Sequence, residues 1–548
     1  MNTDTKKADE IWSNGHIHSF NSDEHHSSIA ISEGRILAVG DDLEGLSGPN
    51  TKRADLNGRF VMPGMIDTHT HGLWGACRDC FEVYVGYTAT LDKLVTSVGV
   101  RAQQLEAGTW ITGGPWRLDM RAGMGTSPKE LLDNIAPNHP VALKDTTQHS
   151  LWLNSKALAL AGITATSPEV EGGVIERHPM TGEPNGILAE NASSLVLPFL
   201  RFSDDQLTKS LTYMIGYFHS MGITGFKEPM AYEHDLKTYL AFDQADKLNL
   251  HLGVHLSRFT PMAAGRTPYD ELEVWREKYR STNIHTDFAK LFLDGVAPSH
   301  TASFFEPYLE SSGYNVATHD PEATLLLKPD DLAQEVTELD RRGFVVKMHA
   351  VGDRAVRAGL DAIEAARQTN GMNDLRHEIS HSPFVTDSDL LRFKELNAVA
   401  EMSPKLWFPN PVTAAQHAVL GVERTDKCHP IRSLLEAGAE LIYGSDWPAA
   451  APDANPWPGL AGMTTRANPM GEFPGTIGAN QAVSLEQALP LFTTNAARSI
   501  GLEAETGSIE VGKSADFVVL ENPLSEMSPE EIGTVEVKET WFRGKRVH

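Results

Sequence analysis

Cysteine is scarce in this chain: three residues, Cys77, Cys80 and Cys428, in 548. Three thiols are too few, and odd in number, for a disulfide framework, so most must persist as thiols, which fits a reducing compartment. Positive charge is also short. Lys and Arg number 47 against 73 Asp and Glu, and a formal net charge of -26 repels phosphate backbones and anionic membrane surfaces. Neither nucleic acid nor membrane is an expected partner; a small-molecule substrate is, and a homo-oligomer stays open. Long apolar runs are missing too. None approaches a membrane span, and the opening MNTDTKKADEIW lacks the apolar stretch of a signal peptide, so the expected location is cytoplasmic. What is present is globular: 41% hydrophobic and 22% charged residues exclude a disordered or fibrous chain. At about 150 residues per domain, the length leaves room for three or four units, or for one large barrel with additions.

Both ends read as β. SSIAISEGRILAVG, residues 27–40, sets two β-branched runs around Glu33-Gly34 as a hairpin. Near the other end ADFVVL and VKETWF are strand-like, and Arg543-Gly544-Lys545 turns the chain toward a last short strand. Neither end alone has enough strands to bury an apolar face, so residues 1–58 and 499–548 are expected to pair into one discontinuous β-sandwich. Residues 59–498 between them alternate apolar runs with amphipathic stretches, the pattern of βα units. Eight candidate strands are RFVMPGMID (59–67), ITGFKEP (223–229), LHLGVHL (250–256), FAKLFLD (288–294), FVVKMHA (344–350), LRHEIS (375–380), NAVAEMS (397–403) and ELIYGSD (440–446). Eight predicts an α/β fold of the (β/α)8 barrel type. The helix after FVVKMHA is marked by Ala355, Val356, Leu360, Ile363 and Ala366 at helical spacing. About 155 residues separate the first two strands, too many for a βα loop, so an inserted α/β subdomain is expected at about 75–205.

Ligand-type residues gather at the carboxyl ends of these strands, where such a barrel builds its active site. His69 and His71 follow the first apolar run, and period-two geometry sends both side chains to one face. His349 ends the fifth strand, His381 lies just past the sixth, and Asp446 ends the eighth. Each alone reads as an ordinary hydrogen-bonded residue; together they suit Zn²⁺, with Fe²⁺, Mn²⁺ or Co²⁺ also compatible, as one or two ions. Hydrolysis is the natural chemistry, since a bound divalent ion acidifies water and polarises a carbonyl while Asp446 accepts the proton. Lys290, inside FAKLFLDG, is the odd member. A bland account makes it a snorkelling lysine or a salt bridge to Asp287 or Asp294; the sharp one makes it a carbamylated, bridging ligand with a catalytic role beside His381 and Asp446. His69 and His71 would then bind one ion with Asp446, and His349 and His381 the other.

Other motifs fail on context. His377, Glu378 and His381 spell HEISH, a match to H-E-x-x-H with Glu401 as its third ligand, and this zincin-type peptidase is the rival from another fold. It needs a helix, and Gly371 before it with Ser382-Pro383 after it leave none of usual length. GSIEVGKS (507–514) matches a phosphate-binding loop, yet ADFVVL after it is a strand. Cys77-x-x-Cys80 has no second pair. His16, His18, His25 and His26 fall in the terminal β segment. Trp116, Trp407 and Trp447, with Trp74 and Trp152, suggest an aromatic-lined substrate pocket.

With RFVMPGMIDTHTHG, QHSLWLNSKAL, GGVIERHPMTGEPNGIL, KLFLDG, MHAVGDRAV, the His381 segment, YGSDWP and GSIEVGKSADFVVL in view, the chain resembles the amidohydrolase superfamily. Within it the likeness is to the amidohydrolase 3 branch, with its YtcJ-like and N-substituted formamide deformylase-like proteins. The resemblance implies a metal-dependent barrel flanked by a β-sandwich from both termini, hydrolysing amide-type C–N bonds, with a cyclic amidine deaminase as the alternative on the same ligands. It implies metal positions at His69, His71, a carboxylated Lys290, His349, His381 and Asp446, and a substrate contact at His149. Two segments depart from the family pattern. The sixth-strand histidine there usually follows a glutamate, where this chain has Ser380, and the segment after the seventh strand usually reads S-x-Q-P-x-H, where this chain has EMSPKLW with Leu406 in the histidine's place.

Overall fold

A computed structural model describes residues 6–19, 25–86, 88–146, 150–261, 265–403 and 405–548. The chain divides into two compact units: Met1–Gly72 with Ile215–His548, and Leu73–Met214. In the first unit both termini form a sandwich. Ser28–Ser32 and Arg35–Gly40 make the hairpin, with Glu33 and Gly34 at φ 53° and 75°, the left-handed pair a two-residue turn requires. They pair with Glu10–Ser13 and Lys52–Asp55 in one sheet. The facing sheet runs Lys545–Arg546, Glu539–Phe542, Phe517–Leu520, Phe60–Pro63, His16–His18, His25–His26, joining the two ends of the chain. Trp12, Ile29, Ile31, Val61, Phe517 and Val519 are buried together between the sheets.

The barrel consists of eight strands in sequence order: β1 (Met65–Asp67), β2 (Ile223–Ala231), β3 (His251–Ser257), β4 (Ile284–Phe292), β5 (Val345–Ala350), β6 (Glu378–His381), β7 (Val399–Met402) and β8 (Glu440–Tyr443). Every neighbouring pair is parallel. The seam between β8 and β1 closes through Thr68, whose backbone N–H and Oγ1 both donate to the Tyr443 carbonyl, at 2.9 and 2.7 Å. RFVMPGMID is two strands rather than one: Phe60–Pro63 belongs to the sandwich, pairing with Phe517–Leu520 and His16–His18, and only Met65–Asp67 enters the barrel. Gly64 is the joint. Its N–H donates to the Asp516 carbonyl at 3.0 Å, and a Cβ there would meet Thr224 Oγ1 at 2.1 Å, so no larger residue fits where the chain crosses between sheets.

Between β4 and β6 lie the helices α1 (Pro329–Arg341) and α2 (Asp353–Asn370), the second burying Ala355, Val356, Leu360, Ile363 and Ala366 as their spacing predicts. GSIEVGKS forms turns leading into Phe517–Leu520, with no helix after it.

The second unit has a mixed six-stranded sheet ordered Gly173–Arg177, Pro184–Glu190, Ser150–Leu153, Val141–Asp145, Ile111–Trp116, Val83–Tyr84. Helices Leu91–Gln104 and Lys129–Ile135 contribute Leu94, Val98 and Leu132 to a core with Ile111, Val141 and Trp152.

Candidate metal centre

Alternation along the strands turns a polar set inward: Lys347 and His349 on β5, Glu378 and Ser380 on β6, Glu401 and then Ser403 on and after β7. At the seam, the Asp446 N–H donates to the His69 carbonyl at 2.7 Å and the His71 N–H to the Trp447 carbonyl at 2.8 Å. Asp67 Oδ1 accepts from the N–H groups of His69 and Ser445, at 3.1 and 3.0 Å. Gly444 makes this approach possible, because a Cβ on it would lie 2.4 Å from the His69 Cβ. Asp446 itself adopts φ 53°, a left-handed turn that brings its carboxylate over the end of the barrel. Its Oδ1 stands 3.6 Å from His69 Nε2 and 3.6 Å from His71 Nε2.

Outer hydrogen bonds fix which ring nitrogens face the centre. His69 Nδ1 donates to Glu401 Oε1 at 2.7 Å, leaving Nε2 as a lone pair. His349 Nε2 meets the Gly295 carbonyl at 3.1 Å, and His381 Nδ1 meets the Ser403 carbonyl at 2.9 Å. A carbonyl only accepts, so both of those nitrogens carry hydrogen. The remaining nitrogens, His349 Nδ1 and His381 Nε2, then point lone pairs at each other across 2.9 Å. Burial, reinforced by Lys290, holds His349 down at about 3. Burial, reinforced by the His349 ring, keeps His381 well below its ordinary value, so no proton relieves the pair. Two neutral donors facing each other fit a cation. His381 reaches this position because it leaves β6 at φ 73°, breaking the alternation that would have turned it outward. Donor atoms of His69, His71 and Asp446 lie within 4.8 Å of one another, as do those of His69, His381 and Glu401. His71 differs from the others: burial opposes its protonation, but Asp446 and Glu228, whose Oε1 is 3.5 Å from His71 Nδ1, raise it to about 9.

Beneath this centre lies an ionic layer. Lys347 Nζ is paired with Glu401 and, at 3.1 Å, with Glu378, and donates to the Thr68 carbonyl at 2.6 Å. Lys227 pairs with Glu378 from the other side. Lys290 is 1% exposed and has no carboxylate within ion-pair distance among the described residues; its Nζ stands 4.9 Å from the Phe292 ring centroid. Asp287 pairs with Arg280 instead, and Asp294 accepts from the N–H groups of Ser303, Val351 and Gly352. Burial, with Lys347 nearby, lowers Lys290 to about 7.

The structure thus brings His69, His71, His349, His381 and Asp446 to one end of the barrel, with Lys290 buried on β4. It separates the zincin pair: His377 Nε2 meets Asp340 Oδ2 at 2.9 Å on the helix side, Glu378 is locked between two lysines, and Glu378–His381 is a strand. The peptidase reading is withdrawn on that ground. The aromatic residues are packing. The Trp116 indole N–H donates to the Leu143 carbonyl within the core of the second unit, that of Trp407 to the Gly459 carbonyl, and Trp447 is sealed against Tyr217 and Phe218. None of the three offers a solvent-facing ring. His149 lies outside the described residues. Sequence reasoning did not assign Glu228, Lys347 or Lys227, named Asp294 only as a salt-bridge partner for Lys290, and placed Glu401 in the wrong motif; their shared signal is charge within or beside an apolar strand.

Along nearly its whole length the chain is similar to known proteins. The chain matches the amidohydrolase family over residues 53–548. It is 30% identical to Protein LONG AFTER FAR-RED 3 of Arabidopsis thaliana over 95% of this chain and 88% of that protein. It is 28% identical to the N-substituted formamide deformylase of Arthrobacter pascens over 94% of both. An uncharacterized metal-dependent hydrolase from Pyrococcus horikoshii shares the fold, with TM-score 0.74 and 20% identity over 98% of this chain and 100% of that one.

Proposed function

The chain belongs to the amidohydrolase family, and from that premise we propose that it hydrolyses a C–N bond of a small molecule, an N-formyl or N-acyl amine or a cyclic amide, at a centre of one or two divalent ions. The observation that carries this is the facing pair of imidazole lone pairs, His349 Nδ1 and His381 Nε2, 2.9 Å apart. All-nitrogen and carboxylate donors favour Zn²⁺. His69, His71 and Asp446 would hold one ion and His349 with His381 a second. Such an ion supplies Lewis acidity, polarising a carbonyl and making water a better nucleophile at neutral pH.

The chain's own groups do the rest. Asp446 accepts the proton of the attacking water and returns it to the departing nitrogen, so that the amine leaves neutral. Lys290, whose buried amine is in part neutral near pH 7, could add CO2 and release a proton to give a carbamate, which would set an anionic oxygen donor among the ligands in place of a cation. The formamide deformylase relative favours the N-formyl end of the substrate range.

The test is a screen of the metal-loaded protein against N-formyl amines, N-acyl amines, lactams and carbamates, with Lys290→Ala alongside. Cleavage of one class, abolished by chelation, is the expected result. Lys290→Ala should lose one ion and most activity, with short carboxylic acids restoring part. Ammonia release from a cyclic amidine would instead make the enzyme a deaminase on the same ligands, and a fully loaded protein inert toward every C–N substrate would overturn the reading.

A further inference from the structure

Glu401 lies at the middle of the ionic layer with 0% exposure. Its Oε1 accepts from His69 Nδ1 at 2.7 Å and from Ser403 Oγ; its Oε2 accepts from Ser380 Oγ at 3.0 Å and from Lys347 Nζ. A carboxylate offers about four lone-pair directions, and four donors fill them. No direction is left for an ion, even though Glu401 stands within 4.8 Å of the donor atoms of His69 and His381.

Its hydrogen bonds reach both halves of the centre. His69 Nδ1–H is held directly. Because the Ser403 hydroxyl gives its hydrogen to Glu401, its oxygen is free to accept from His381 Nδ1, at 3.0 Å, beside the Ser403 carbonyl. One buried carboxylate therefore fixes the proton on His69 directly and, by orienting the Ser403 hydroxyl, gives the His381 Nδ1–H a second acceptor beside the Ser403 carbonyl, so that Nε2 of each ring stays bare. Lys347 ties the same carboxylate to the Thr68 carbonyl, next to His69 in the chain.

We infer that Glu401 is a positioning residue of the metal centre, holding His69 directly and His381 through Ser403 in the tautomer that binds an ion; the inference rests on the metal centre proposed above, not on its substrate. Ser380 and Glu401 are direct Cα partners in the β6–β7 ladder, joined side chain to side chain. The exchange variant S380E/E401S should then return a carboxylate to the same place.

The experiment measures Zn²⁺ affinity by chelator competition, without substrate, for the wild-type protein, E401Q, E401S and S380E/E401S, with thermal unfolding of each metal-free protein as the control for folding. The expected result is that E401Q and E401S bind about ten to a hundredfold more weakly, and that the exchange variant recovers most of the loss. Wild-type affinity in E401Q and E401S overturns the inference, and so does an exchange variant no better than E401S, which would leave Glu401 a purely structural residue. Should E401Q not fold, the comparison of E401S with the exchange variant decides. A protein whose affinities behave as expected but which cleaves no C–N bond would sink the proposed function and leave this inference standing.

Discussion

Asp446 is the residue on which the proposed chemistry turns. It is held by the backbone bond to His69 and by a left-handed turn, and one oxygen is equidistant, at 3.6 Å, from two imidazole nitrogens. If it shuttles the proton, Asp446→Asn should keep the fold, retain part of the metal and lose orders of magnitude in kcat, read under saturating metal and substrate. A kcat near wild type in that variant would remove Asp446 from the mechanism. The strand-end residues of this site were legible in the sequence because a barrel places its chemistry where each strand stops, and five ligand-type residues gathered at strand ends are a strong pattern. The buried charges beneath them were not. Lys227, Lys347, Glu378 and Glu401 are charges within or at the edge of apolar strands, and a charge so placed does not say which distant charge neutralises it.

At the scale of elements, the sequence gives periodicity but not pairing. The spacing in α2 is enough to place its buried face, whereas nothing in RFVMPGMID says that its two halves bond to different sheets; that follows from Gly64 and its close approach to Thr224. HEISH shows the same limit. A four-residue spacing suits one face of a strand or of a helix, and only the neighbouring elements decide that His377 turns outward. There it meets Asp340 of α1, which also accepts from Arg367 of α2 at 2.9 Å and from Asn370 and Asn373. Burial would raise the Asp340 carboxyl, but the His377, Asn370 and Asn373 hydrogen bonds win and hold it at about 2, below its ordinary 3.8. A depressed acid stabilises the fold fully above the unfolded value and loses that contribution as pH falls through the folded one. Asp340→Asn should therefore destabilise the protein near neutrality by about 3 kcal/mol, the cost of stranding a buried partner. Its stability should fall less steeply than wild type between pH 4 and pH 2 in denaturant titrations. Parallel curves for the two proteins would show that this clamp is not what acid breaks.

Over the whole molecule, the centre exists only because the barrel closes. Its donors come from residues 69–71, 349, 381 and 446, stretches that no local structure joins, and in the unfolded chain only the His69–His71 pair stays near at hand. A divalent ion that binds the closed barrel and not the open chain stabilises it by mass action, by about 2.7 kcal/mol at a hundredfold excess over its Kd. The chain's excess of negative charge, -26 in formal terms, favours the approach of a cation but places no donors, so the gain must come from the assembled ligands. Removing metal with a chelator should lower the Tm, and adding Zn²⁺ back should restore it. In His381→Ala, which deletes one of the two facing lone pairs, the same additions should shift the Tm much less. If metal shifts the variant as far as the wild type, the ion is bound elsewhere on the acidic surface, and the barrel centre is not what the metal holds together.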